Sequence, residues 1–137
     1  MHIDLSAIWS AAGFLIILQV GAFAWRVGRE ITVGEKGEIN WLPPADILNM
    51  VSMLIAFLGV FIFPLAGLDD ENIPKISLGI SIVLFAGYPF ALAGHYELYT
   101  KGKRKYRYTN RQEIIPIIVA EHIALAYLVI SIFRISS

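Results

Sequence analysis

Four stretches of this chain are almost free of charge, and each is long enough to cross a membrane. Leu5 to Trp25, Ile47 to Leu68 and Ile76 to Tyr96 contain no Asp, Glu, Lys or Arg, and Ile114 to Phe133 contains only Glu121. About 20 residues of helix reach roughly 30 Å, the thickness of the hydrocarbon core. One such helix fits inside a soluble domain; four in 137 residues do not. The composition agrees, with 57% hydrophobic and only 16% charged residues, where soluble chains carry about a quarter charged. The expected fold is an all-α integral membrane protein, one domain over residues 1–137. Its four transmembrane helices, about 5–27, 46–68, 75–98 and 113–134, would form an antiparallel bundle. The first run is too long for a signal-peptide core and has no basic segment before it, so it is expected to be a retained span.

Charge sets the expected orientation. Arg26, Arg29 and Lys36 follow the first run, and Lys101, Lys103, Arg104, Lys105, Arg107 and Arg111 separate the third from the fourth. The opposite side has only Lys75 and Arg134, with the acidic turn Asp69-Asp70-Glu71. The positive-inside rule makes both basic connections cytoplasmic and puts both termini outside, as in a bacterial inner membrane. Trp9, Trp25 and Trp41 stand near the expected interfaces, where amphipathic rings settle. Asp46 is placed to cap the second helix, Pro116 falls in the first turn of the fourth, and Pro64 and Pro89 predict kinks.

The connections carry patterns of their own. "EITVGEKGEINW" alternates apolar and polar residues around Gly34 and Gly37, and "ELYTKGKRKYRYTN" does so around Gly102. Both predict short β-hairpins on the cytoplasmic side. Lys101, Lys103, Arg104, Lys105, Arg107 and Arg111 are candidates to bind anionic lipid or a partner protein. The net charge is zero, so no nucleic acid is expected as a partner.

Polar residues inside the spans are the candidate site. Counting inward along each helix, Asn49 lies about 5 Å deep, Ser52, His95 and Gln19 about 9–10 Å, Glu121 about 13 Å and His122 about 15 Å. All fall in the cytoplasmic half. An ionisable group at such depth normally faces the protein interior, so Glu121 is expected inside the bundle or at a subunit interface, within reach of His95, His122 or Gln19. Gly79, Val83, Gly87, Ala91 and His95 repeat at steps of four, as do Ala120 and Ala124. Small residues at that spacing predict close helix packing.

Several chemistries lack support. There is no cysteine, hence no thiol catalysis, iron–sulfur cluster or disulfide. Neither a P-loop nor a dinucleotide fingerprint appears, and no motif supports an enzyme. A haem or metal ion at His95 and His122 would require ligands at similar depth, but the two differ by about 6 Å, so no cofactor is expected. The leading expectation is one protomer of an oligomeric proton- or cation-linked channel or transporter, with Glu121, His122, His95, Gln19 and Asn49 as its ion or proton site. The competing expectation is a non-catalytic anchor, sensor or accessory subunit that works through its basic loops.

Overall fold

The computed structural model describes residues 4–34, 42–68, 70–100 and 109–136, and no strand occurs among them. Four helices are long and apolar enough to cross a membrane. They are α1 (Leu5–Gly34), α2 (Pro44–Leu65), α3 (Asn72–His95) and α4 (Arg111–Ser136). The chain is a small membrane protein.

The first expected hairpin is overturned at its start. Glu30 to Gly34 continue α1 as helix. The β-branched residues there favour strand, but Tyr96 holds Glu30 from the far side of the packing, and Thr32 bonds back to the Gly28 carbonyl at 3.0 Å. Tertiary and local bonds outweigh that propensity. The rest of this hairpin, residues 35–41, and most of the second, residues 101–108, lie outside the described residues. Residues 96–99 form the turn that closes α3. Glu97 takes a left-handed conformation there (φ 53°), and the N–H of Leu98 returns to the Ala93 carbonyl at 3.0 Å. This pattern of a left-handed residue and a returning N–H satisfies carbonyls that a helix end otherwise leaves open.

Contacts between the helices run in opposite chain directions. Gln19 meets Ser52 while Arg26 meets Asp46, so α1 and α2 are antiparallel. Ser52 meets Ser81 while Asp46 meets Tyr88, so α2 and α3 are antiparallel. Between α3 and α4 the close approaches are Gly79 under the Tyr127 ring, Gly87 against Ala120 and Gly94 against the Gln112 carbonyl. A side chain at any of these glycines would collide with α4, which explains the stripe of small residues. Ala91, Ala120 and Ala124 are buried in the same seam.

Pro116 departs from the expectation. α4 begins at Arg111, so Pro116 sits inside the helix. It has no N–H to offer the Gln112 carbonyl, the group on which Gly94 packs. Pro64 follows a π-helical stretch, Phe57–Ile62, and a wider turn relieves the clash a proline ring makes with the preceding turn.

Candidate functional site

Four helix ends meet where α1 finishes, α2 starts, α3 finishes and α4 starts, and this polar end holds most of the buried charge. Arg26 and Asp46 are both almost wholly buried, with Nη2 and Oδ2 2.6 Å apart. Tyr88 donates to the other Asp46 oxygen at 3.3 Å. Asp46 was expected to cap α2. It does not, because the guanidinium of Arg26 takes its carboxylate.

That cap comes from another helix. Glu113 of α4 accepts the N–H of Ala45 at 2.9 Å with one oxygen, and its other oxygen lies 3.1 Å from Nδ1 of His95. A carboxylate at the start of α2 and α4 complements the local helix dipole. Asn110 completes the corner. Its side-chain oxygen accepts the N–H of Glu113 and its amide donates to the Gly94 carbonyl, both at 2.9 Å. On the outer flank Tyr96 donates to Glu30 at 2.8 Å, and the Arg29 guanidinium lies 3.8 Å above the Tyr96 ring. Burial and the bond to Glu30 raise the Tyr96 phenol above its ordinary value. Asp46 thus faces Arg26, Glu113 faces His95, and Glu30 faces Tyr96.

One layer deeper the groups are neutral. Gln19 donates to Ser52 at 2.6 Å, and Asn49 donates to the Gln19 carbonyl at 3.0 Å. Ser52 donates to the Ser81 carbonyl and Ser81 returns a bond to the Ser52 carbonyl. The amide oxygens of Gln19 and Asn49 accept no hydrogen bond among the described residues. Beyond this layer the buried side chains among the described residues are apolar, with the Ser77 side chain against Gly59 beside them. Ile8, Ala12 and Val60 pack together with no polar side chain between them.

The five residues expected to form one ion or proton site are therefore divided. His95, Gln19 and Asn49 are buried, with His95 in the ionic layer and the two amides below it. Glu121 and His122 are exposed on α4. Each residue of a helix turns about 100°, and Glu113, Ile117, Ala120 and Ala124 fix the inward face. Glu121 falls at its rim, beside a groove lined by Ile47, Val51, Leu84 and Ile117. His122 points nearly opposite, and its Nδ1 reaches back to the Ile118 carbonyl at 2.7 Å. Within one chain Glu121 is thus not interior, because the alanines that flank it take the packing positions. His95 and His122 do not converge, and among the described residues no three His, Asp or Glu side chains gather as metal ligands. Of the basic candidates only Arg111 is described, exposed as the first residue of α4.

Sequence reasoning missed Arg26, Glu30, Asp46, Tyr88, Tyr96 and Glu113. A signal was present: acids flank the basic residues at the same span ends. A carboxylate on the side that topology makes positive has cations at matched depth to meet. Comparison with family models, with curated proteins and with solved structures returns no match.

Proposed function

We propose that this membrane protein is a non-catalytic anchor or accessory subunit. Its polar end lies at the cytoplasmic face of a bacterial inner membrane, and its basic connections engage anionic lipid headgroups or a cytoplasmic partner. The observation that carries this reading is where the buried polarity stops. Among the described residues, the buried polar side chains run from Glu30 to Gln19, Ser52 and Ser81, and the buried Ile8–Ala12–Val60 layer follows. A path for protons or cations needs polar groups or water along its whole length. A single chain supplies them for half of it. The other half of the support is charge: Lys101, Lys103, Arg104, Lys105 and Arg107 fall in the sequence between α3 and α4.

The test is flux with a lipid arm. The full chain in vesicles of phosphatidylcholine and phosphatidylglycerol should dissipate an imposed proton or potassium gradient no faster than empty vesicles. It should also retain phosphatidylglycerol through detergent washing, and lose it when the five basic residues become glutamine. Gradient decay that is accelerated by the native chain and abolished by Glu121→Gln would overturn the proposal.

A carrier assembled from several copies is the second reading, and the place of Glu121 favours it. An ionisable group on the outer surface at mid-span suits a pathway formed between chains rather than within one. The same flux measurement separates the two.

A further inference from the structure

Glu121 and His122 are neighbours in sequence, sit about ten residues into α4, and are exposed there. Both occupy the part of the helix that hydrocarbon surrounds, where a polar side chain without a partner is costly. Glu121 makes no hydrogen bond or ion pair among the described residues. Successive helical residues do not face each other, so the two cannot pair within one chain.

Their chemistry is complementary. A carbonyl oxygen only accepts, so the bond from Nδ1 of His122 to the Ile118 carbonyl places the ring proton on Nδ1. Nε2 is then an acceptor on an exposed side chain. A carboxylic acid in its uncharged form is a donor. Between the two, Ile118 and Leu125 form an apolar strip, 45% and 58% exposed. The groove beside Glu121, between α2 and α4, encloses about 220 Å³, room for an imidazole ring.

We propose that this face of α4 binds a second copy of the chain, through a symmetric contact in which Glu121 donates to Nε2 of His122 of the partner subunit. A two-fold axis makes each such contact twice, so both exposed polar groups are satisfied in both copies. Ile118 and Leu125 lie at the centre of the contact. The proposal is independent of the anchoring role, because a dimer forms with or without flux.

The chain has no cysteine, so one introduced thiol reports one position. In vesicles, the full chain carrying Leu125→Cys should form a disulfide-linked dimer on mild oxidation. A chain carrying Phe14→Cys, on the exposed side of α1, should not. Adding Glu121→Leu or His122→Leu removes both copies of the contact and should weaken the association about tenfold to a thousandfold, the effect of losing two interhelical hydrogen bonds in lipid. Helicity should be unchanged, since neither side chain is buried in its own chain. The exchange Glu121→His with His122→Glu should restore the dimer. Equal cross-linking at both thiols, no cross-linking at Leu125→Cys, or a dimer unaffected by Glu121→Leu would each overturn the proposal.

Discussion

At the polar end, Arg26, Asp46, Tyr88, Glu113 and His95 join four helix termini by directional bonds; at the dry end, Ile8, Ala12 and Val60 join α1 and α2 by contact alone. The difference follows from the solvent. Lipid tails are as apolar as leucine, so burying an isoleucine between helices gains little that lipid contact does not already give. Apolar surfaces hold through dispersion and close approach, and they tolerate sliding. A buried ion pair fails when displaced by an ångström or two, because each charge then stands alone in a medium that cannot solvate it. The polar end therefore sets register and orientation, and the dry end follows it.

The largest expected effect breaks this contrast at its centre. Asp46→Leu leaves the Arg26 guanidinium buried without its carboxylate and should cost about 3–5 kcal/mol. The double substitution Arg26→Leu with Asp46→Leu should recover most of that loss, since a buried pair replaced by apolar side chains is often nearly neutral. Unfolding of the full chain in mixed detergent micelles measures both. If the single and the double variant fall equally, the polar end stabilises through packing and the contrast is void.

A smaller effect separates the flank of the network from its centre. Tyr96→Phe removes the bond to Glu30 and should cost about 1–2 kcal/mol at neutral pH. The pH dependence has a definite sign. The folded-state value of the phenol is raised above the 10.0 of a free tyrosine, so its contribution is complete below pH 10 and is lost as pH rises through the folded value. Above pH 10 the native chain should therefore lose stability more steeply than Tyr96→Phe. Parallel curves would show that the phenol is not the group that titrates.

The helices were legible in the sequence because about 20 successive residues without charge leave a helix no face suited to water. The stripe from Gly79 through Gly87 was legible too, since only small residues allow the approach that Tyr127 and Ala120 make. The ionic layer was not. Arg26, Asp46 and Glu113 stand at span boundaries, where a charged residue is ordinarily solvated, and acids and bases at the same span ends do not by themselves say which of them meet. Whether Glu121 faces its own bundle or a subunit interface was not legible for a different reason. Depth along a helix can be counted, but which side faces inward depends on which residues the neighbouring helices choose, and here Ile117, Ala120 and Ala124 take that role.

The smallest expected effect tests the dry end directly. Val60 is fully buried against Ile8 and Ala12, and Val60→Thr places a hydroxyl of nearly the same shape in that layer. In a water-excluded interior an unpaired hydroxyl would cost about 1–3 kcal/mol. A threonine on a helix, however, can donate to a carbonyl in the preceding turn, and the π-helical stretch around residue 60 has carbonyls spaced more loosely than an α-helix. The cost should therefore stay below about 1 kcal/mol, with no change in helix register. Ser52→Val is the matched substitution in the polar layer, and it removes a hydroxyl that accepts from Gln19 and donates to the Ser81 carbonyl. It should cost more than Val60→Thr, because it strands a buried amide that has no alternative among the described residues. If the order is reversed, contact at the dry end is the more demanding of the two, and register is set there instead.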